Sequence, residues 1–368
     1  MKIIAVRVWK IDLNLVEGSY NWSNRNKVGR IDTTIVEIET DAGLSGYGES
    51  CPLGRVYLPS FAEGVRTGIA LIAPALLGQD PREFRTIYAI MDRVIKGHPY
   101  IKAPIDIACW DLLGKATGRP IFGLLGGKAQ ERIPLYRAIS QDSPLAMTKK
   151  VTSYQEDGYK LFQLKVGANP DMDIERIHLA REELDKGSIL IADANTGWKK
   201  HEAARVLDAI HELDVYVEQP CLTYNECLSI RQRTTKPFIL DESIQDIHTL
   251  IQAIKDDAID ILNLKISKVG GFTKAKHLWE TCMSQGIPMI IEDTWGSDIV
   301  TATVAHLAQA TPPELTLCST DFNSYVVERT AVGSPYRKNG TMKATDLPGL
   351  GIEPEFDLLN DPIIEVMQ

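Results

Sequence analysis

The 368 residues contain no CxxC pair, no Cys/His cluster and no apolar run long enough to span a membrane. Six cysteines are scattered along the chain at Cys51, Cys109, Cys221, Cys227, Cys282 and Cys318, and a chain of this length needs no disulfide framework, so free thiols in a reducing compartment are expected. An excess of basic charge is also missing. Forty Lys and Arg stand against 49 Asp and Glu, a net charge of −9, which argues against a nucleic-acid surface and for a chain kept dispersed by repulsion. The N-terminal residues alternate Lys2, Arg7, Lys10 and Asp12 with apolar ones, without the continuous apolar stretch of a secretory leader. A cytoplasmic protein with no membrane partner is the reading that follows.

What is present begins with an ample apolar fraction, 44%, on a chain longer than one ordinary domain. Residues 2–10 and 33–40 are β-branched and alternate, the turn Asp41-Ala42-Gly43 follows, and 44–48 reads as a third strand of an antiparallel meander. Between the first two strands, 13–30 is an excursion holding Tyr20 and Trp22, either a satellite apolar cluster or a lid. A second such loop covers 49–57. From 60 to about 125 the period turns helical, with breaks at Pro74, 78–81 and 97–99, and 100–117 is the most apolar helix, with Trp110 as a core residue on its stripe. This α+β capping domain, 1–127, is expected to be completed by the Gly- and Pro-rich segment 333–368.

Residues 128–332 follow a different rule. Apolar strands near 133–138, 160–165, 189–193, 215–218, 237–241, 261–265, 287–292 and 315–319 alternate with seven helical stretches, the pattern of a parallel α/β barrel. A doubly wound open sheet should show a Gly-rich phosphate turn after its first strand, and Arg137-Ala138-Ile139-Ser140 has none.

Three of these strands end in acid. Asp193 closes Leu190-Ile191-Ala192, Glu218 closes Tyr216-Val217 and Asp241 closes Phe238-Ile239-Leu240, at intervals of 25 and 23 residues; a further 24 reaches Lys265. Strand ends of a parallel barrel share one mouth, where such barrels hold their active sites. Three converging oxygen donors without His or Cys suit a hard cation, Mg²⁺ above all. A single strand-end acid could equally cap the next helix, and it is the shared period that favours ligation. At the third site alternation admits only one of Asp241 and Glu242; Asp241 is chosen because apolar Leu240 precedes it, leaving Glu242 as a supporting partner. Lys165 on strand two and Lys265 on strand six lie four strands apart, across the mouth. Two amines so placed could each address one face of an α-carbon whose carboxylate is held at the acids, although lysines at strand ends also pair with acids or reach solvent. The charge developing on that carboxylate needs a cation as well as a base.

Taken together, Gln163-Leu164-Lys165, Asp193-Ala194-Asn195, Glu218-Gln219-Pro220, Asp241-Glu242-Ser243 and Lys265-Ile266-Ser267-Lys268-Val269-Gly270-Gly271 resemble the strand motifs of the enolase superfamily, in the branch of mandelate racemase and muconate-lactonizing enzymes. The resemblance covers the whole chain. It implies a modified (β/α)₇β TIM barrel under an α+β capping domain, Mg²⁺ at Asp193, Glu218 and Asp241, acid–base chemistry by Lys165 and Lys265, and a homo-oligomer. One departure concerns the strand-two motif, commonly Lys-x-Lys, where Gln163 replaces the first lysine; that leaves Lys165 more basic, or passes the charge to Lys268. A narrower resemblance rests on SYNWS, GESCPLG, KGHPY, YRAISQD, FQLKVG, ADANTGW and IEDTWGSDIVT. It is to dehydratases acting on cis-3-hydroxy-L-proline and, less closely, to hydroxyproline betaine epimerases. A small cyclic amino acid is then implied as substrate, with Asn195 beside it, Asp293, Trp295 and Asp321 as candidates for its nitrogen by charge or cation–π attraction, and Tyr20, Trp22 and Tyr57 closing from the cap. Against these stand plainer roles: packing for Trp295, helix capping for Asp293.

Overall fold

The computed structural model describes residues 1–355 and 361–368. The strand Ile3–Asn14 is long enough to serve two cores. Ile3, Val6 and Val8 join Val36 and Ile38 of the strand Arg30–Thr40 in one apolar cluster under the cap helices, whereas Trp9, Ile11 and Leu13 run into the cluster that fills the barrel. Antiparallel pairing sets Val8 opposite Val36 on one side and opposite Ile364 on the other, so the C-terminal strand Ile364–Met367 lies at the edge of the N-terminal sheet. Residues 356–360, part of the returning segment, lie outside the described residues.

The third strand, Ser45–Ser50, presses against the helix Pro99–Thr117 through two bare positions. A Cβ on Gly48 would come 1.9 Å from the Pro104 carbonyl oxygen, and one on Gly46 would come 2.2 Å from that of Ala108. Glycine is what lets strand backbone touch helix backbone here. The helix opens on Pro99 and ends at Gly118 in the left-handed region, the usual punctuation at both ends. Trp110 stacks on Phe84 at 4.8 Å and donates from Nε1 to Thr273 Oγ1 at 3.0 Å, a core residue at the seam between cap and barrel.

The barrel strands are Tyr136–Ile139, Leu161–Lys165, Ile189–Asp193, Tyr216–Glu218, Phe238–Leu240, Ile261–Lys265, Met289–Glu292 and Thr316–Ser319, in that spatial order, and a parallel bridge from Leu135 to Ser319 brings the eighth beside the first. Each is buried on both faces, which is why all eight read as short apolar runs rather than alternating ones. Between them the helix starts are fixed locally: Ser143, Asn169, Thr223 and Asp246 accept hydrogen bonds from the first-turn amides that follow them. The sequence pattern did not disclose the single turn Ile266–Val269 directly after strand six, from which Gly270 and Gly271, at φ +107° and +100°, lead into the helix Phe272–Gln285.

Two buried carboxyl groups of the cap grip barrel helices at their N-termini. Asp106 accepts from the Thr273 amide at 2.9 Å, and Glu49 from the amides of Ser297 and Val300, each at 3.0 Å. Burial pushes both carboxyls up to about 7. The excursion after the first strand forms a small hairpin, Tyr20–Trp22 with Asn26–Val28, lying across the C-terminal mouth. Asn21 N donates to Ser140 Oγ at 2.8 Å, Ser23 Oγ to the Asn195 carbonyl at 3.0 Å and Asn24 N to that of Gly167 at 3.1 Å. Of the two readings of this segment, the structure has the cover over the mouth. Among the described residues no helix is long and apolar enough to cross a membrane.

Candidate active site

Parallel register places Lys165 beside Asp193 and Asp193 beside Glu218, with Lys265 beside Glu292 further round the ring. Asp193, Glu218 and Asp241 are fully buried. The Lys165 ammonium bonds Asp193 Oδ2. Lys265 bonds Asp241 Oδ2, reaches Tyr57 Oη at 2.6 Å and lies 3.4 Å from Glu292 Oε1, while Lys268 holds Asp241 Oδ1 at 2.7 Å. Alternation separates the two neighbouring acids. Asp241 faces the lysines, and Glu242 Oε1 accepts from Asn195 Nδ2 at 3.0 Å.

A layer of amides lies one step below. Gln163, two residues before Lys165, donates to Glu218 Oε2 at 2.8 Å; Asn263, two before Lys265, donates to Glu218 Oε1 at 2.6 Å and to Glu292 Oε1 at 2.8 Å. Glu292 also accepts from Tyr136 Oη. Gln219 Oε1 links strand four to the end of strand five, accepting from the amides of Asp241 at 3.0 Å and Ser243 at 3.3 Å. The sequence reading missed Asn263, Glu292, Tyr136 and Gln219 as parts of the site. The available signal was a polar residue at an inward position within an apolar strand, as in Ile261-Leu262-Asn263-Leu264-Lys265. After strand three the chain turns through Asn195 and Thr196 at φ 39° and 67°, which aims the Asn195 amide at Asp193 Oδ1, 2.8 Å away.

Of these groups Lys165, Lys265, Gln163, Asn195, Tyr57, Glu292 and Tyr136 line a small chamber, and Asp193, Glu218 and Asp241 stand behind the lysines, outside its lining. Of the residues expected near a substrate, Tyr20, Tyr57, Asn195, Asp293 and Trp295 line it. Trp22 lies outside the lining: it shares the buried face of the strand with Tyr20, two residues away, and its ring stacks beside that of Tyr20 with centres 6.2 Å apart. Asp321 also stands outside the lining, within the field of Arg137 and Arg337. The carboxylate of Asp293 is occupied: Ser267 N (3.0 Å), Ser267 Oγ (2.7 Å) and Thr294 N (2.7 Å) all donate to it, and burial raises it to about 6.

Electrostatics of the acid side set out what it can hold. Burial, and then the charges of Asp193 and Asp241, raise the Glu218 carboxyl well above the usual carboxylate range. Burial also works to raise Asp241, but Lys265 and Lys268 outweigh it and hold that carboxyl low. For Lys165, burial favours the neutral amine, yet Asp193, Tyr20 and Glu218 more than reverse this and the ammonium is favoured. Among the described residues no three acid, His or Cys side chains close on a metal-ligating position. Each acid instead has its own polar partner. The donor set is nonetheless that of a hard divalent cation: crowded carboxylate oxygens, one carrying a like-charge penalty that such an ion removes.

Residues 23–126 match the family model described as mandelate racemase / muconate lactonizing enzyme, N-terminal domain, and residues 146–358 match the one described as enolase C-terminal domain-like. The chain is 59% identical over 363 residues to a cis-3-hydroxy-L-proline dehydratase of Roseibium aggregatum, covering 99% of each chain. A mandelate racemase/muconate lactonizing enzyme from Roseovarius nubinhibens superposes with a TM-score of 0.97 at 39% identity, over 100% of this chain and 99% of that one. A second structure from that organism, complexed with magnesium, superposes at 0.96 with 36% identity over the full length of both.

Proposed function

The chain belongs to the enolase superfamily, in its mandelate racemase/muconate lactonizing enzyme branch, and on that footing we propose that it is a carbon–oxygen lyase dehydrating cis-3-hydroxy-L-proline. The observation that carries this reading to the chemistry is the placement of Lys165 and Lys265 on strands two and six, with the three acid-bearing strands between them. A substrate carboxylate lodged at the acids sets its α-carbon between two amines. One lysine, released from the acid that favours its ammonium form and having shed that proton, takes the α-proton as the free amine. The electron pair forms the C2–C3 double bond as C3–O breaks, and the departing hydroxide takes a proton from the other lysine and leaves as water. The enamine product then moves a proton from nitrogen to C3, giving Δ1-pyrroline-2-carboxylate.

Asp193, Glu218 and Asp241 are the residues assigned to hold Mg²⁺, which when bound supplies positive charge against the negative charge gathering on the carboxylate oxygens. Gln163 and Asn263 orient Glu218, and Gln219 orients the backbone at Asp241. Tyr20 and Tyr57 line the chamber from the cap side, and water displaced there by substrate would leave each of these interactions stronger.

Proton NMR in D₂O, with purified enzyme and cis-3-hydroxy-L-proline, tests the reading. Dehydration removes the substrate ring signals. An α-deuterated substrate with its ring intact would instead mean 2-epimerisation by the same two lysines. Ligand binding that survives EDTA, together with an unreacted substrate, would mean a binding protein on this barrel.

A further inference from the structure

The proposed function lodges the substrate carboxylate on the side of the chamber backed by the acids of strands three to five, but nothing in it holds the 3-hydroxyl. With strands three to five taken up by the acids, the rest of the ring extends toward the opposite wall, built by the segments after strands seven and eight and by strand one: Trp295, Thr320, Phe322, Tyr325, Tyr136 and Ala138. That wall is largely apolar and aromatic, so its unspent polar atoms are informative.

Trp295 is 3% exposed, and its indole nitrogen has no hydrogen-bond partner. Elsewhere the chain meets this need: the buried indoles of Trp110, Trp198 and Trp279 donate to Thr273, Asp173 and Thr311 at 3.0, 2.9 and 2.8 Å. The Trp295 ring is committed to packing, with Tyr20 edge-on at 4.8 Å, Tyr325 edge-on at 5.6 Å and Phe322 tilted at 5.8 Å. Packed among these three rings, Trp295 still lines the chamber, and the N–H is its one polar atom without a partner.

An indole nitrogen donates and cannot accept. Among the substrate's polar groups, the carboxylate is engaged at the acid end and the ring nitrogen, as an ammonium, carries donors alone. The hydroxyl oxygen is the acceptor left. We propose that Trp295 Nε1–H donates to the 3-hydroxyl oxygen of the substrate, fixing the leaving group on the strand-seven side and stabilising the charge that gathers on it as C3–O breaks. Trp295 is thus a specificity-determining residue that separates 3-hydroxylated from plain cyclic amino acids. The assignment rests on the dehydratase reading above.

Trp295→Phe keeps an aromatic ring against Tyr20 and Phe322 and removes only the donor. Dehydration should lose ~100-fold in kcat/KM, while the inhibition constant of L-proline, which lacks the hydroxyl, stays within ~3-fold of wild type. If Trp295→Phe fails to fold, as judged by thermal unfolding, Trp295→Met, also without a donor, is read in the same way. Unchanged dehydration, or an L-proline constant that worsens in parallel with it, overturns the assignment of Trp295 while leaving the dehydratase reading intact. A wild-type enzyme that spares the substrate ring overturns the dehydratase reading itself.

Discussion

Asn263 carries two bonds on one nitrogen, and both end on buried carboxylates. Replacing it with leucine, similar in volume, leaves Glu218 Oε1 without its donor and deprives Glu292 of one of its partners. An unmet buried acceptor costs ~1–3 kcal/mol, so Asn263→Leu should lower the thermal midpoint and, by letting Glu218 move, reduce kcat ~10- to 100-fold; differential scanning calorimetry and steady-state kinetics check the two parts. A second residue, remote from the chemistry, makes a pH prediction. His306 is fully buried, stacks on Phe122, shares Leu350 O at 3.1 Å and accepts from the Phe122 amide at 3.4 Å, and burial pushes it down to about 4. The unfolded chain therefore takes up a proton near the ordinary value of 6.5 that the folded chain refuses. Its contribution is complete above that value and is lost as the pH falls through about 4, up to about 3 kcal/mol. Urea unfolding between pH 7 and 4.5 should show stability falling with acid, and the slope should shrink by about one proton in His306→Gln.

At the level of elements, the strand Ser45–Ser50 and the helix Pro99–Thr117 approach so closely that Gly48 has no room for a methyl group. Gly48→Ala must force strand from helix, at a cost of ~3 kcal/mol, and the displaced strand carries Glu49, which bonds the helix Asp298–Gln309. Chemical denaturation should report the loss, and the substrate KM should rise because the strand leads directly into the loop bearing Tyr57. The hairpin Tyr20–Trp22 shows what a linear reading of elements misses. Both aromatics were expected over the substrate and both lie on the buried face of one short strand, but only Tyr20 lines the chamber, with the Trp22 ring stacked beside it before the chain turns at Asn24, φ 56°. Helix and strand positions in the barrel, by contrast, were legible to within a few residues, because burial on both faces makes each strand a compact apolar run between helical periods.

For the molecule as a whole, cap and barrel meet over a centre of buried carboxyls and lysines. If Asp193, Glu218 and Asp241 hold Mg²⁺, the ion binds the folded chain and not the unfolded one, so millimolar Mg²⁺ should raise the thermal midpoint in proportion to the logarithm of its concentration, by about 2.7 kcal/mol at 100 times Kd. Activity should vanish in EDTA and return with Mg²⁺, and Glu218→Gln should abolish the thermal shift. A midpoint indifferent to Mg²⁺ in the wild type would remove the three acids from that role. Charge and fold oppose each other at this site: Glu218 is disfavoured as an anion by burial and then by Asp193 and Asp241, and the amides of Gln163 and Asn263 offset that penalty only in part.

The sequence by itself determined the α/β barrel, the cap before it and the acids and lysines at the strand ends, because hydrophobic period and the two-residue alternation of a strand are local properties that survive in a linear string. Only the tertiary structure decided which polar groups are spent and which are free. Asp293 has three donors on it from Ser267 and Thr294, Asp321 stands behind the wall, and the Trp295 ring is packed among Tyr20, Phe322 and Tyr325 while its N–H goes unmet. The physical reason is that, apart from the adjacent Thr294 amide, these hydrogen bonds and ring contacts are settled by partners tens to hundreds of residues away, brought together only when the ring of strands closes.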